Sequence, residues 1–417
     1  MPVRFWLRSQ AALYAVPLML ALAYYFLRSS LVDLGDNWFR ATAIAGGVVV
    51  VTAPVGGALA AWEADRLRRG RVYSRPGARS MAVVVGWSLW PTVLACLVLQ
   101  GAALALVWPA MADVPGLPEP RLALVTFAVT LGFVAVGFAV GRRIRPVLSV
   151  PLLLVGGWIA LAYPAAMEPF WIRHLTGNLR TCCSTNQVPD ARALIAPSLV
   201  ALGAMAASGL VALRRRPGKL LVGAALMTVA AVLASAIGLV HGMGWQAAKP
   251  RTEGLRCAPE RGVEICLWPE DEARREWAAD RLVTAAHRLH AAGLPLPHRI
   301  TEGPANGNES WNAIAAHNGT PVDVSTSIVS GLLPAPPPCA RTQDYPGGAA
   351  TPVIGAWLGL HAGLPESVLV QKSGQEGLHR ARQVLKLSKS RQLAWFQQNK
   401  AAMRQCGRAP VTPGAMS

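Results

Sequence analysis

Charged residues are scarce in this sequence. Only 15% of its 417 residues are Asp, Glu, Lys or Arg, whereas 53% are hydrophobic and the mean hydropathy is +0.34. Soluble globular domains carry about 25% charged residues. The composition therefore argues against an ordinary soluble protein and favours an integral membrane protein.

Several catalytic and energy-coupling signatures are also missing. The chain has no H-E-x-x-H, no G-x-S-x-G and no aspartate inside an apolar run, which argues against an intramembrane protease. It has no P-loop, because Gly218-Lys219 is followed by Leu220. No Asp, Glu, Lys or Arg lies near the centre of an apolar run, which disfavours ion-coupled transport. We expect neither an enzyme nor a cofactor, and any energy source must be a separate polypeptide.

Long apolar runs dominate the first 240 residues. A helix needs roughly 20 apolar residues to cross a bilayer. Seven runs meet this length: Ala11–Leu27, Ala41–Trp62, Met81–Trp108, Leu122–Val140, Val147–Met167, Ala193–Leu213 and Leu220–Val240. They predict an all-α polytopic membrane domain of about seven transmembrane helices over residues 1–243.

The net charge of +18 lies mainly between these runs. Residues 1–246 hold 21 Lys and Arg against 8 Asp and Glu. Topology explains this excess better than nucleic-acid binding, so we expect a lipid bilayer and no nucleic acid as partner. With the N-terminus inside, 15 Lys and Arg lie on the cytoplasmic side and 6 on the other. This bias predicts a multi-pass protein with its C-terminal domain outside. Arg outnumbers Lys 34 to 6 and Ala is abundant, as is typical of a high-GC bacterial genome, so we expect the bacterial cytoplasmic membrane.

After Gly244 the composition changes to mixed charge punctuated by Pro and Gly. Residues 244–417 are expected to form a small extracytoplasmic α+β domain. Strands are predicted at Gly262–Leu267 and Val322–Val329, and helices at Glu270–Ala292, Pro352–His361 and Gln383–Met403.

Cysteines are distributed in the same one-sided way. On the predicted topology Cys96 lies within the third span and none lies in a cytoplasmic loop, while six lie outside: Cys182, Cys183, Cys257, Cys266, Cys339 and Cys406. This distribution fits structural disulfides in an oxidising compartment. Six cysteines allow fifteen connectivities. We expect Cys257 to pair with Cys266, and Cys339 with Cys406 as the next candidate pair.

A histidine cluster and an acidic cluster in the tail have simpler explanations than metal binding or catalysis. His287 and His290 share a helix face, but no Glu or Cys has ligand-like spacing beside them. We therefore expect no metal site. Glu270, Asp271 and Glu272 occupy the first turn of a predicted helix, where carboxylates complement the helix dipole.

The segment AAWEADRLRRGRVYSRPGARS, residues 60–80, resembles the membrane subunits of bacterial type-2 ABC exporters. In many of these permeases the second helix continues into an Ala-rich, Arg-studded cytoplasmic segment that touches the ATPase subunit. The matching positions are Trp62, Glu63, Asp65, Arg68, Arg69, Pro76 and Arg79. The resemblance implies an ATPase-docking loop, for which our candidate residues are Glu63, Asp65, Arg66, Arg68, Arg69, Arg71, Arg75 and Arg79.

The tail is similar to extracytoplasmic domains fused to a subset of these permeases. The similarity lies in C-x-x-E…G-V-x-I-C-x-W-P-E, at Cys257, Glu260, Gly262, Val263, Cys266, Trp268, Pro269 and Glu270. One departure concerns topology, since the usual permease core has six helices and here a seventh carries the tail outside.

These observations favour a permease subunit of an ABC-type exporter, acting as a homodimer or heterodimer of permeases and driven by a separate ABC ATPase subunit. The alternative is a membrane-anchored sensor or assembly protein whose extracytoplasmic tail binds a partner. A neighbouring ATPase gene would favour the first interpretation, and a kinase or sigma-factor gene the second.

Overall fold

The computed structural model describes residues 11–31, 34, 37–73, 80–212, 218–304, 310–314, 319–341 and 343–412. The chain divides into two compact units, Met1–Lys249 and Pro250–Ser417. The first is the membrane unit and the second is the C-terminal unit.

Among the described residues of the membrane unit, seven segments are helical, long and apolar enough to span a bilayer, which confirms the predicted all-α polytopic domain. The spans cover Ala11–Arg28, Trp38–Arg69, Met81–Met111, Pro120–Gly141, Pro146–Ala166, Ala191–Ala212 and Lys219–Val240. Their α-helices are α1 Ala11–Arg28, α2 Trp38–Gly46, α3 Val49–Arg69, α4 Met81–Val107, α5 Pro120–Gly141, α6 Pro146–Pro151, α7 Gly157–Ala162, α8 Ala191–Ala212 and α9 Lys219–Val240.

Two spans are interrupted. The second changes from α2 to α3 at Gly47 and Val48, and the fifth contains a π-helical turn, Leu152–Gly156, between α6 and α7. A short 3₁₀ segment, Phe170–Leu175, and strand β1, Gln187–Pro189, follow the fifth span. Strand β2, Ala248–Pro250, pairs with β1.

Helices α3 and α5 cross through small residues. A Cβ atom added at Gly137 would overlap the backbone of Gly57, and one added at Gly141 would overlap Ala61. Each helix thus presents two small residues four positions apart. This spacing lets two membrane helices pack backbone to backbone.

The C-terminal unit is a four-stranded sheet packed with helices. The strands are β3 Arg256–Glu260, β4 Val263–Leu267, β5 Arg299–Thr301 and β6 Ser310–Asn312, in that spatial order. Strands β3 and β4 form an antiparallel hairpin, while β5 and β6 extend the sheet in parallel. The helices are α10 Arg275–Ala291, α11 Pro321–Leu332, α12 Thr351–Ala362, α13 Glu366–Leu385 and α14 Lys389–Ala402.

Three secondary-structure predictions for the tail were wrong. The helix expected at Glu270–Ala292 begins only at Arg275, after a turn and the 3₁₀ segment Glu272–Arg274, so the acidic triplet does not lie in its first turn. The segment expected as strand Val322–Val329 is helix α11. Its capping box joins Thr320 and Asp323, and its buried side chains Val324 and Ile328 lie one turn apart. The helix expected at Gln383–Met403 is interrupted, because α13 ends at Leu385 and α14 begins at Lys389.

The core of the C-terminal unit is aromatic. Trp357 packs against Phe396 at 5.3 Å and Trp395 at 6.2 Å between ring centroids, and all three side chains are buried. The indole Nε1 of Trp357 donates to Gln392 Oε1 at 3.1 Å, which satisfies the polar end of the buried ring.

Candidate functional site: the arginine-rich end of helix α3

The predicted docking residues fall on the last two turns of α3 and on the turn that follows. Glu63, Asp65, Arg66, Arg68 and Arg69 all belong to the helix, and Arg71 lies just beyond Gly70. The predicted residues Arg75 and Arg79 lie outside the described residues. We call the described segment, Glu63–Tyr73, the arginine-rich end.

The two carboxylates of the arginine-rich end are buried and form ion pairs with arginines. Glu63 and Asp65 are each 2% exposed. Arg66 pairs with Glu63 at 2.7 Å, while Asp65 pairs with Arg69 at 2.8 Å and also with Arg68. Ser88 Oγ donates to Glu63 at 3.2 Å, which links this end to α4.

The arginine head groups remain accessible to a partner. The side chains of Arg66 and Arg68 are about one-third exposed, and that of Arg69 is 64% exposed. Arg69 also lies over the ring of Trp62 at 5.7 Å. Because three arginines share two carboxylates, the segment is preorganised and keeps an excess of positive charge.

Tyr73 connects the turn after α3 to α3 itself and to the segment that follows α5. Its hydroxyl donates to the carbonyl of Ala64 at 3.2 Å, and the guanidinium of Arg142 lies 4.4 Å from its ring centroid. Burial raises the pKa of Tyr73 to about 12, so the phenol stays neutral. Arg142 follows α5, so two basic segments converge on one aromatic ring.

The structure therefore changes the interpretation of the acidic residues in this segment. The sequence predicts that Glu63 and Asp65 belong, with the arginines, to the ATPase-docking residues. They lie instead inside the packed helix, where each orients arginines, and the described surface is cationic.

All six cysteines predicted to lie outside are paired. The expected disulfides Cys257–Cys266 and Cys339–Cys406 are confirmed, and Cys182 pairs with its neighbour Cys183. Cys257 and Cys266 face each other across the β3–β4 hairpin. Glu264 lies close enough to these two sulfurs to complete a metal-ligand set, but a disulfide has no thiolate to offer.

Three members of the acidic and histidine clusters of the tail make local contacts. Glu270 pairs with Arg251 at 3.0 Å, and Glu272 pairs with Arg275 at 2.8 Å. The hydrogen bond from Arg275 lowers the pKa of Glu272. His290 Nδ1 contacts the carbonyl of Leu294 at 2.9 Å, just past the end of α10.

Sequence reasoning missed two features of the membrane unit. The α3–α5 crossing has a readable signal, since G-x-x-x-A at Gly57 and G-x-x-x-G at Gly137 are known packing motifs of membrane helices. A cavity at the other end of the unit, lined by arginines and apolar side chains, has no such signal, because its side chains come from separate spans and loops.

The fold defines a multi-pass membrane protein with a disulfide-bonded α+β domain. The family model described as "Domain of unknown function (DUF7224)" matches residues 265–406, about a third of the chain and wholly inside the C-terminal unit. No curated protein and no solved structure shows significant similarity.

Proposed function

We propose that the chain is the permease subunit of an ABC-type exporter and that a separate ATPase docks on the arginine-rich end. The observation that carries this proposal is the set of accessible arginines held by the buried carboxylates Glu63 and Asp65. In this proposal the arginine-rich end faces the bacterial cytoplasm, and the permease assembles as a homodimer or heterodimer.

The chemistry of the surface suits an acidic groove on a protein partner. Guanidinium groups form bidentate pairs with carboxylates, and here their orientation is already fixed. Exposed ion pairs contribute only about 0 to 1 kcal/mol each. Several arginines must therefore act together, and single substitutions should have mild effects.

Helix α3 offers a mechanical route from this surface into the membrane. The helix continues without a break from Val49 to Arg69, and its middle contacts α5 backbone to backbone at Gly57 and Ala61. A load applied at the arginine-rich end would displace α3 and α5 together, because close-packed elements transmit displacement rather than absorb it.

The test is co-purification from native membranes. We expect the quadruple variant of Arg66, Arg68, Arg69 and Arg71 to Gln to insert into the membrane but to lose the ABC ATPase detected by mass spectrometry with the wild type. A quadruple Lys variant of the same positions keeps the charge but not the bidentate geometry. It should retain part of the co-purifying ATPase.

The matched control removes four other basic residues of the same predicted side: Arg143, Arg145, Arg214 and Arg215, each changed to Gln. The control should keep the ATPase. If the first variant keeps it as well as the wild type does, or if both variants lose it equally, the arginine-rich end is not the docking surface.

A second candidate function is a membrane-anchored sensor or assembly protein. It is favoured by a cavity of about 550 Å³ in the C-terminal unit, lined by Trp311, Phe396 and the cationic side chains of Lys400 and Arg404. Burial lowers the pKa of Lys400. Detection of an extracytoplasmic partner and no ATPase in the wild-type preparation would favour this function.

A further inference from the structure

A cavity of about 580 Å³ lies in the membrane unit at the end opposite the arginine-rich end. The second span reaches it through Arg40, Ile44 and Val50, whereas its other end carries Arg66 to Arg69. The 21 residues of α3 alone correspond to about 30 Å of helix, roughly the thickness of the hydrocarbon core. The cavity is thus at the level of the opposite lipid headgroups.

Arg173 forms the buried part of the cavity wall. It is only 5% exposed, yet it forms no ion pair with a carboxylate among the described residues. Its guanidinium donates to the carbonyls of Trp245, at 3.3 Å, and Ala165, and lies 3.6 Å from the ring centroid of Trp245. Its Nε is buried without a hydrogen bond in the described structure.

A buried guanidinium without a counter-charge is costly, because desolvation penalises the charged form. Burial lowers the pKa of Arg173 in this setting. Arginine nevertheless remains protonated in proteins. An anion in the cavity would supply the missing charge.

Arg180 contributes a second cationic group. Its head group donates to Ser30 Oγ and lies 4.9 Å from the ring of Phe26, both near the end of the first span. No described carboxylate lies within ion-pair distance of it. Its stem passes over Gly47, at the break between α2 and α3, where an added Cβ would come within 3.3 Å. The break thus makes room for the arginine to reach the cavity.

Asn178 adds an unsatisfied polar atom. Its Oδ1 is buried and has no hydrogen-bond partner among the described residues. Rotation of the amide by half a turn would place Nδ2, a donor, at the same position. Either orientation leaves a polar atom of the cavity wall without a partner.

The remaining wall is apolar. Phe26, Ile44, Val50 and Trp158 line the cavity and come from three membrane spans. Guanidinium groups bind phosphate oxygens, and an apolar wall beside them suits the hydrocarbon part of the same molecule. A small soluble anion would use the arginines but would leave this apolar wall uncovered.

We propose that this cavity binds an anionic amphiphile that carries a phosphate group. Arg173 and Arg180 bind the phosphate, and the apolar side chains of the wall contact the hydrocarbon part. The site needs no ATPase, so it is independent of the docking proposed for the arginine-rich end.

The test uses the full-length protein in detergent, with an equimolar mixture of phosphatidylglycerol and phosphatidylcholine. Native mass spectrometry should show preferential retention of phosphatidylglycerol by the wild type. Changing Arg173 and Arg180 together to Gln should lower that retention by about tenfold or more, the scale expected for two arginine contacts.

The matched control changes Arg28 and Arg192 to Gln. These arginines belong to the same end of the membrane unit, do not line the cavity, and already contact Tyr25 and Asp190, respectively. This double variant should retain phosphatidylglycerol like the wild type. Equal loss in both double variants would overturn the site, since it would indicate a general effect of charge.

A second variant guards against misfolding of the buried-arginine variant. Asn178→Asp places a carboxylate in the cavity at constant size, so it should displace phosphatidylglycerol without lowering the Tm in lipid-free detergent. Retention of the lipid by Asn178→Asp at the wild-type level would refute the proposal.

Inorganic phosphate distinguishes the two sources of the anion. If the phosphate belongs to a lipid, excess inorganic phosphate should leave lipid retention and Tm unchanged. If free phosphate raises the Tm of the wild type, but not that of the double variant, the anion site stands and its ligand is soluble. Asp33 and Asp36 lie outside the described residues; if either neutralises these arginines, the wild type will show no preference for phosphatidylglycerol, and the proposal fails.

Discussion

His361 is a titratable side chain in the aromatic core of the C-terminal unit. Its ring lies 4.8 Å from that of Trp357, and its Nε2 contacts Gln392 Oε1 at 3.4 Å. Burial lowers the pKa of His361, and nearby Lys389 acts in the same direction. The folded state therefore favours neutral imidazole.

This shift predicts acid sensitivity of the C-terminal unit. The unfolded chain, with an ordinary histidine pKa of about 6.5, binds the proton more readily than the folded chain. The contribution of neutral His361 to folding stability is therefore fully present above about pH 6.5 and is lost as the pH falls below that value. The Tm should drop between about pH 7 and pH 5.5, and His361→Gln should reduce that drop.

The control is His379→Gln, which changes an exposed histidine of α13. Its pH profile should follow the wild type. His174 in the membrane unit also has a pKa lowered by burial, so some acid sensitivity should persist in His361→Gln. An unchanged profile for His361→Gln would show that other groups control the acid response.

Among the elements, the membrane spans were predictable from sequence, and the helices of the tail were less so. A membrane span is recognised by its length and its lack of charged residues, and neither property depends on how the helices pack. Helix α11 was mistaken for a strand because Val322, Val324 and Val329 favour strands. The competing signals were Thr320, Pro321 and Asp323, which together form a helix start.

The crossing of α3 and α5 gives a prediction at this scale. Gly137→Leu should separate the two helices, because its side chain would overlap the backbone of Gly57. Overpacking costs about 1 to 3 kcal/mol in ordinary cores, and here a backbone must move. We expect a severe loss of monodisperse protein in size-exclusion chromatography.

Gly223→Leu is the matched control, since Gly223 lies in a span and a Cβ there would meet nothing within 4 Å. It should give the wild-type yield. Normal yield and Tm for Gly137→Leu would mean that the helices are not in backbone contact.

At the scale of the whole molecule, the sequence located the candidate docking arginines but not the groups that hold them. A run of Arg is visible in any sequence, whereas the burial of Glu63 and Asp65 depends on how α3 packs. The cavity at the opposite end was hidden for a related reason. Ser30, Arg173 and Trp245 are far apart in the chain, and only the fold brings them to one cavity.

The predicted orientation is testable in the intact protein. A reporter that is active only outside the cytoplasm, fused after Ser417, should be active, because 15 Lys and Arg against 6 favour N-terminus inside and seven spans then place the C-terminus outside. A cytoplasm-dependent reporter at the same position should be silent. Activity of the cytoplasmic reporter alone would contradict the orientation.

The state of the seven cysteines has a practical consequence. Six form disulfides, and the seventh, Cys96, is 1% exposed within α4. The native protein should therefore react poorly with maleimides, and a cysteine introduced on the surface would be the one efficiently labelled thiol. Cysteines introduced at two positions, one beside Arg69 and one beside Arg192, could be labelled with spectroscopic probes. The distance between the two ends of the membrane unit could then be measured without first removing the native cysteines.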